Sequence, residues 1–238
     1  MNKIESAISF ALEAHSGSCR KGTSTPYILH PLEAAAIASS ITNDEDVIAA
    51  AVLHDVIEDT QYGKDDIRAR FGDRVLRLVL SATENKRSEL PPEETWKIRK
   101  RETLDRIEDA EDDELIVIFS DKLANLRSIW SDYLTIWEDL WKRFAEPDPR
   151  KQLWYYGGIY SACSRLGSYP AYAEYGRKLR EISGHVEEYE KFGFHDPDAL
   201  CVLVTPGENK WVFRRGQSED LMIMTDEEFR SFISEISE

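Results

Sequence analysis

Four ionisable side chains follow an apolar run in residues 49–59, which read Ala49-Ala50-Ala51-Val52-Leu53-His54-Asp55-Val56-Ile57-Glu58-Asp59. Apolar residues suited to burial lead into four polar ones, and the spacing predicts that all of them belong to one helix. Residues four apart lie on the same helical face, so His54 is expected over Glu58. By the same spacing, Asp55 is expected over Asp59. Ionisable groups at the end of a buried helix are costly unless they pair with one another or with a metal, so this helix end is a candidate half-site for a divalent ion.

A bare His-Asp pair is a weak signal, and the chain contains a second one at His195-Asp196. That second pair lies in a predicted loop and is not expected to bind metal. For His54-Asp55 the alternative interpretation is a histidine at a helix terminus that is satisfied by a nearby acid. Further ligand candidates elsewhere in the chain are therefore needed to favour a metal site.

Two further residues are such candidates. His30 stands directly before a proline at the entry of a predicted helix, a position where proline is well tolerated. Asp121 follows the apolar run Leu115–Phe119, and an acid in that position needs a partner. The partner is either a metal ion or a base such as Arg127. Asn125 lies one turn later on the same face and adds an amide to the cluster.

Apolar residues recur at helical spacing through most of the chain, which predicts a mainly α-helical protein. The predicted helices cover residues 4–12, 32–39, 71–80, 93–107 and 171–192, and a further one opens at Thr42 or Asn43 and runs to about residue 58. Residues 115–129 are interpreted as one buried helix. The aromatic-rich segments 133–144 and 153–160 complete a compact helical domain that we predict over residues 1–192.

The last part of the chain changes character. Residues 200–204 and 211–214 favour β-structure, and the Pro206-Gly207-Glu208-Asn209 segment between them is typical of a hairpin turn. Apolar residues then recur at helical spacing from Phe229 to Ile236. We predict a small α+β extension over residues 193–238, a β-hairpin plus a helix, that docks on the helical body or on a second subunit.

Composition limits the partners of this chain of 238 residues. Lys and Arg total 30 against 45 Asp and Glu, and the formal net charge of −15 argues against binding to nucleic acid or to an anionic membrane. The sequence shows no signal peptide and no membrane-spanning run, so we expect a cytoplasmic protein. Cys19, Cys163 and Cys201 lack the spacing of a zinc site or a disulfide framework. An anionic ligand would have to bind at a local basic patch.

Several short motifs occur in a fixed order. They read His15-x-Gly17, Arg20-Lys21-Gly22-Thr23, Pro26-Tyr27-Ile28-x-His30-Pro31-Leu32, Leu53-His54-Asp55-Val56-Ile57-Glu58-Asp59-Thr60, Phe71-Gly72, Trp96-x-x-Arg99-Lys100 and Ser120-Asp121-Lys122-Leu123-x-Asn125. With this pattern, about residues 4–165 resemble the HD-domain alarmone hydrolases, the hydrolase modules of the RelA/SpoT-homologue group, and more closely the stand-alone small alarmone hydrolases. Many motifs in register are far more specific than one His-Asp pair.

The resemblance implies a compact helical HD-domain fold and hydrolytic removal of the 3′-pyrophosphate from a guanosine or adenosine alarmone. It assigns manganese(II) to the ligands His30, His54, Asp55 and Asp121, and activation of the attacking water to Glu58 and Asp59. The substrate is expected to contact Arg20, Lys21, Lys122, Asn125, Lys151 and Tyr155. Of these, the first two flank the purine, Asn125 contacts the nucleoside, and the last two bind phosphate.

The sequence departs from the family pattern at Ser18, where the family usually has Gln, and the tail from His195 onward has no counterpart there. His15 is expected to pack rather than to bind metal. Two other functions stay open: an HD phosphohydrolase on another phosphorylated nucleotide, such as the 2′-phosphate of NADPH, and a sensor that binds a nucleotide without hydrolysing it. The intact Glu58-Asp59 pair argues against the sensor. The expected partner is a small purine nucleotide, and a homodimer is left open.

Overall fold

The computed structural model describes residues 2–87 and 89–185, together with the backbone of three strands within residues 200–225. The chain divides into two compact units, Met1–Asn125 and Leu126–Glu238. The α-helices are α1 Lys3–Ala14, α2 Leu29–Ser39, α3 Glu45–Leu53, α4 Val56–Asp59, α5 Lys64–Ala82, α6 Pro92–Asp109, α7 Asp112–Ile136, α8 Pro149–Ala162 and α9 Pro170–His185. Short 3₁₀ helices cover Trp137–Arg143 and Ser164–Leu166. The prediction of a mainly helical protein is confirmed. None of the helices in this described part is long and apolar enough to cross a membrane.

Helix α3 forms the centre of the first unit. Residues 47–53 are all buried, because the helix is apolar on every side and packs against α1, α2 and α5. Its start is capped by Asp44, whose side chain accepts hydrogen bonds from two backbone N–H groups of the first turn. The predicted opening at Thr42 or Asn43 lies one or two residues too early.

The prediction of a single helix to residue 58 is wrong. α3 ends at Leu53, a turn at His54-Asp55 follows, and the one-turn helix α4 begins at Val56. The side chain of His54 explains the interruption, since its Nδ1–H donates to the carbonyl oxygen of Ala51 at 2.8 Å. A continuing helix would direct the backbone N–H of Asp55 to that same oxygen.

Helix α5 contains a kink at Gly72, where φ is 88°. Residues with a side chain rarely adopt this angle, so glycine lets two helical segments join directly there. The predicted helix over 71–80 covers the second segment but misses the first, which starts at Lys64. α6 and α7 extend the helices predicted over 93–107 and 115–129 at both ends. The apolar run before Asp121 lies inside one buried helix, as predicted.

The second unit contains stacked tyrosine rings from α8 and α9. The rings of Tyr160 and Tyr172 lie 4.4 Å apart at an angle of 15°, and the Tyr172 hydroxyl donates to the carbonyl oxygen of Tyr160 at 2.9 Å. The Tyr175 hydroxyl donates to the carbonyl oxygen of Tyr156 at 3.1 Å. A Cβ atom at Gly176 would lie 2.9 Å from the Tyr160 hydroxyl oxygen. A larger residue there would therefore displace the stacked ring.

Three strands form an antiparallel sheet in the order β1-β2-β3, with bounds Leu200–Val204, Lys210–Arg215 and Leu221–Thr225. The register places Val202 opposite Phe213, and Phe213 opposite Met222. The backbone of β1 lies alongside α8 and α9 of the same unit. The first two strands coincide with the segments predicted to favour β-structure, whereas the third was not predicted.

Several predictions for the end of the chain lie outside the described residues. They are the continuation of α9 to residue 192, the boundary at residue 193, the second His-Asp pair at His195-Asp196 and the helix over 229–236. The α+β extension as a whole therefore stays a prediction.

Candidate metal centre

Three buried side chains from three helical elements meet in the first unit. His30 lies in the first turn of α2, His54 directly follows α3, and Asp121 lies within α7. Their ligand atoms lie within 4.8 Å of one another, and the residues are exposed by only 4%, 1% and 4%. Two imidazoles and a carboxylate in this arrangement could hold a metal ion.

Asp55 joins this cluster as a fourth side chain. Its Oδ2 lies 3.0 Å from His54 Nε2 and 3.6 Å from His30 Nε2. On the other side, Asp121 Oδ1 lies 3.1 Å from His30 Nε2 and 3.5 Å from His54 Nε2. The structure therefore brings together all four residues that the sequence nominated as metal ligands.

The chemistry of this donor set fits a divalent cation. Because Nδ1–H of His54 donates to a backbone carbonyl, the lone pair of its Nε2 is directed toward the carboxylates. That Nε2 is buried and has no aligned hydrogen-bond partner in the part of the chain that the structure describes. The carboxylates of Asp55 and Asp121 both face the two imidazoles, which bind a metal ion in their neutral form, so a cation between them could contact all four groups.

Electrostatics keep the carboxylates of the cluster ionised, as metal ligands must be. Burial raises the pKa of Asp121, but Lys122 and the histidines outweigh burial and hold that pKa well below its usual value. Burial also raises the pKa of Asp55, but the surrounding groups, His54 above all, outweigh burial and lower that pKa below its usual value. For His54 the signs are reversed, because burial lowers its pKa and the two carboxylates raise it well above its usual value.

The predicted water-activating pair lies next to the cluster, on α4. Glu58 Oε2 accepts the backbone N–H of Glu84 at 3.0 Å, and burial raises the pKa of the Glu58 carboxyl. Asp59 has a partner on each oxygen: its Oδ2 lies 2.9 Å from the Tyr27 hydroxyl, and its Oδ1 pairs with the Lys86 ammonium. Lys86 also donates to the backbone carbonyl of Glu58 at 3.1 Å.

Three of the predicted substrate-contacting residues are connected to Asp121. Its Oδ1 accepts from Asn125 Nδ2 at 2.5 Å, and Asn125 Oδ1 in turn accepts from Arg20 Nη2 at 3.0 Å. Its Oδ2 accepts from Lys122 Nζ at 2.6 Å. Lys21, the neighbour of Arg20, is exposed. Lys122 and Arg20 thus place positive charge beside the candidate metal ligands of a very acidic protein.

The base beside Asp121 is therefore Lys122. Arg127, which the sequence offered as an alternative partner, binds Glu174 through its Nε at 2.6 Å. The remaining two predicted substrate contacts lie on α8 in the second unit. Lys151 pairs with Glu146 at 2.7 Å, and the buried ring of Tyr155 packs against Tyr156 with centroids 5.5 Å apart. Their contact with a substrate stays a prediction.

Sequence analysis missed several residues that hold the site in place. Tyr27 lies within hydrogen-bond distance of both Asp55 and Asp59, and its position inside the quoted Pro26-Tyr27 motif was the available signal. Burial and these two carboxylates raise the pKa of the Tyr27 hydroxyl far above its usual value, so it stays protonated. Lys86 belongs to no motif, and no local pattern indicated its contact with Asp59.

Glu84 is a further residue that sequence analysis missed. Its carboxylate binds Arg99 Nη1 at 3.0 Å and Lys100 Nζ at 2.7 Å, both from the quoted Trp96-x-x-Arg99-Lys100 motif. Burial raises the pKa of Glu84, but Lys100, Lys122 and Arg99 outweigh burial and lower it. This buried ion cluster anchors the backbone N–H that holds Glu58.

The sequence was compared with models of known protein families. A model described as HD domain matches residues 7–146, more than half of the chain, and the matched range includes all four candidate ligands. The chain belongs to the HD-domain family.

Individual relatives share this region at moderate identity. The chain is 36% identical over 129 residues to guanosine-3′,5′-bis(diphosphate) 3′-pyrophosphohydrolase of Aquifex aeolicus, a match over 54% of this chain and 18% of that protein. It is 35% identical over 137 residues to the mouse guanosine-3′,5′-bis(diphosphate) 3′-pyrophosphohydrolase MESH1, which covers 53% of this chain and 73% of that protein. The chain thus spans less than a fifth of the Aquifex relative and most of the mouse one.

Two solved structures are similar as well. A crystal structure of lmo0812 from Listeria monocytogenes is 34% identical, with a TM-score of 0.57 over 64% of this chain and 97% of that one. The structure of a metazoan SpoT ortholog that hydrolyzes ppGpp has a TM-score of 0.61 and 24% identity, over 76% of this chain and 96% of that one. At that identity, the second similarity shows the fold alone.

Proposed function

We propose that this protein is a metal-dependent hydrolase that removes the 3′-pyrophosphate from alarmone nucleotides of the (p)ppGpp or (p)ppApp type. The observation that carries the proposal is the buried cluster of His30, His54, Asp55 and Asp121 with the carboxylates of Glu58 and Asp59 beside it. The names of the Aquifex and mouse relatives, which are pyrophosphohydrolases of guanosine-3′,5′-bis(diphosphate), support the choice of substrate.

We propose manganese(II) as the metal, held by the two imidazoles and the two carboxylates of the cluster. When bound, such an ion would lower the pKa of a coordinated water and polarise a phosphoryl oxygen of the substrate. The imidazole and carboxylate donors support a borderline or hard divalent ion rather than one that prefers thiolates. The choice of manganese itself rests on the family resemblance.

The carboxylates of Glu58 and Asp59 orient the attacking water and accept its proton. The water oxygen forms a bond to the phosphorus that is attached to the 3′ oxygen, and the bond between that phosphorus and the 3′ oxygen breaks. The proton that the carboxylates took from the water is passed to the 3′ oxygen, so the products are pyrophosphate and a nucleotide that has a free 3′ hydroxyl and keeps its 5′ phosphates. The partly buried position of Glu58 and its raised pKa support a role in accepting a proton.

Cations near the cluster would bind the substrate phosphates and purine. Arg20, Lys21 and Lys122 supply this charge in the first unit, and Asn125 would contact the nucleoside. Lys122 is paired with Asp121 and Arg20 with Asn125, which holds both cations beside the candidate metal position. Lys151 and Tyr155 are proposed as a further phosphate contact from α8.

We also propose that residues 1–192 form the HD-domain body, with the segment 193–238 as an extension, in a cytoplasmic protein that acts on a small nucleotide. The net charge of −15 supports a small-molecule substrate over nucleic acid or a membrane.

Deletion of residues 195–238 tests the role of the extension. A lower melting temperature would indicate that the extension stabilises the helical body. A halved mass in solution would indicate that it forms a dimer contact, and a folded enzyme with altered kinetics would indicate that it covers the active site as a lid.

Product analysis tests the proposed activity. The metal-stripped protein, reloaded with Mn²⁺, is incubated in parallel with ppGpp, ppApp and NADPH. We expect pyrophosphate and a 5′-diphosphate nucleoside from at least one alarmone, and no reaction in the presence of a chelator. Phosphate release from NADPH alone would replace the proposed substrate, and tight nucleotide binding without any product would indicate a sensor.

A further inference from the structure

Tyr27 connects a candidate metal ligand with a candidate water-activating carboxylate. Its hydroxyl oxygen lies 2.7 Å from Oδ2 of Asp55 and 2.9 Å from Oδ2 of Asp59. Asp55 is the N-cap of α4 and Asp59 is its last residue, and the backbone N–H of Asp59 donates to the carbonyl oxygen of Asp55 at 2.9 Å. The backbone of this one turn fixes where the two side chains start, and the phenol contacts the carboxylates at their ends.

The ring that carries this hydroxyl is itself held in place. It packs on His15 with centroids 4.8 Å apart and lies under the Arg20 guanidinium at 5.8 Å. The backbone N–H of Tyr27 donates to the carbonyl of Ser18 at 2.9 Å, which ties the residue to the start of its loop. His15 is 4% exposed, so the face of the ring that it covers is packed rather than solvated. The hydroxyl is therefore presented from a fixed position.

Without this phenol, the partner left to Asp59 in the described part of the chain is Lys86, whose side chain is 45% exposed. A half-exposed lysine is a flexible partner, because its four-carbon side chain has many accessible rotamers. Asp59 would then follow Lys86 rather than stay beside Asp55. A displacement of about 1 Å at a catalytic group can cost roughly a hundredfold in rate.

We propose that Tyr27 is a positioning residue for the hydrolysis, with its hydroxyl holding the Asp59 carboxylate beside the metal ligand Asp55. The inference rests on the proposed function, since it takes Asp59 as part of the water-activating pair. It predicts an effect on turnover rather than on substrate binding.

The test is the substitution Tyr27→Phe, which removes the hydroxyl oxygen and keeps the ring. We expect kcat at saturating Mn²⁺ to fall by about 10- to 100-fold, the usual cost of losing a group that hydrogen-bonds to a metal ligand. KM should change by less than about threefold, because the proposed role of the hydroxyl is to hold the Asp59 carboxylate and not to bind the substrate. Electron paramagnetic resonance should still find the wild-type number of bound Mn²⁺ ions, and the melting temperature should stay close to that of the wild type.

A matched control is Tyr62→Phe, which removes a hydroxyl that donates to Glu13 at 2.8 Å, away from the cluster. This variant should keep wild-type kcat. In an Asp59→Asn background, Tyr27→Phe should change kcat by less than about threefold, since two residues that act through one another are not additive. The same fold-loss in that background would overturn the proposal, and so would wild-type kcat in the single variant. If the wild type shows no turnover, the proposed function is overturned and this inference with it. If the wild type is active and Tyr27→Phe is equally active, the inference alone is overturned.

Discussion

The two ends of α3 both gather carboxylates, but they neutralise them differently. At the start of the helix, Arg74 binds Asp44 through both guanidinium Nη atoms, at 2.9 and 2.8 Å. The same guanidinium reaches Asp46 at 3.0 Å and Asp113 at 2.6 Å. At the other end, Oδ2 of Asp55 faces two imidazoles and a phenol and no cationic side chain of the described residues within ion-pair distance.

The helix dipole makes this contrast sharper. Acids are favoured at a helix start and disfavoured at a helix end, so the group at Asp44 is stabilised twice, by Arg74 and by the dipole. The carboxylate of Asp55 lies two residues beyond the unfavourable end of α3, at the N-cap of the single turn α4. It depends on imidazole and phenol partners that are neutral unless an imidazole gains a proton. A bound cation would supply the charge that the chain itself provides at the other end. The difference explains why only one of two acidic clusters is a candidate metal site.

Among the variants that keep their metal, the largest kinetic effect is expected for Glu58→Gln. The variant keeps the size of the side chain and can still bind the N–H of Glu84, but it cannot accept a proton. Turnover should fall by roughly a hundredfold or more, as for a lost general base, while metal content stays the same. Product formation and metal content of the purified variant are measured together. Glu45→Gln, an exposed acid at the opposite end of α3, is the control and should be fully active. A nearly normal rate in Glu58→Gln would transfer the role to Asp59.

A smaller effect is expected for Lys86→Met, which removes the ammonium from Asp59 while keeping an apolar side chain of similar length. The pair is half-exposed, so kcat/KM should fall by only about twofold to fivefold. Steady-state kinetics with the alarmone give the value. Lys142→Met serves as the control, because Lys142 forms an equally simple surface pair with Asp139 in the second unit. An increase in kcat/KM would show that Lys86 restrains Asp59 rather than supporting it.

The smallest effect concerns stability at the metal-independent end of α3. Hydrogen bonds from Arg74 lower the pKa of Asp44 from 3.8 to about 2. Because the folded-state pKa is the lower one, the stabilisation is complete above about pH 4 and is lost as the pH falls toward about 2. Asp44→Asn retains the helix cap but removes the charge, so it should lower the free energy of unfolding at pH 7 by up to about 1 kcal/mol.

Denaturant unfolding of wild type and Asp44→Asn from pH 7 to pH 2 measures this difference, which should shrink toward zero at the acid end. Asp65→Asn is the control, since its carboxylate is almost fully exposed. A constant difference across the whole range would show that the Asp44 charge contributes nothing to folding. Metal content should be the same in all three proteins.

The sequence predicted more about the site residues that follow α3 than about the contacts at the start of that helix. Local spacing raised His30, His54, Asp55 and Asp121 as candidates, and the family resemblance assigned all four as metal ligands. The structure brings these four side chains together. The same spacing failed at His54-Asp55, where a side chain competes for a backbone carbonyl and interrupts the helix. Helical periodicity carries no information about such competition.

Contacts between distant segments could not be predicted from local patterns. Lys86 reaches Asp59 across 27 residues, and Arg74 reaches Asp44 across 30. Neither pair has a spacing that marks it in the sequence. The strand at Leu221–Thr225 was missed because it is a short, nearly continuous apolar run without the alternation that distinguishes a half-buried strand.

Metal stoichiometry tests the central claim most directly. Metal-stripped wild type, Asp55→Ala and Asp46→Ala are each titrated with Mn²⁺, and bound metal and alarmone hydrolysis are recorded on the same samples. Wild type and Asp46→Ala, whose carboxylate lies at the start of α3, should bind about one ion per chain, with activity rising in proportion to occupancy. Asp55→Ala should lose both the bound ion and the activity. Unchanged metal occupancy and turnover in Asp55→Ala would contradict the assignment of the site.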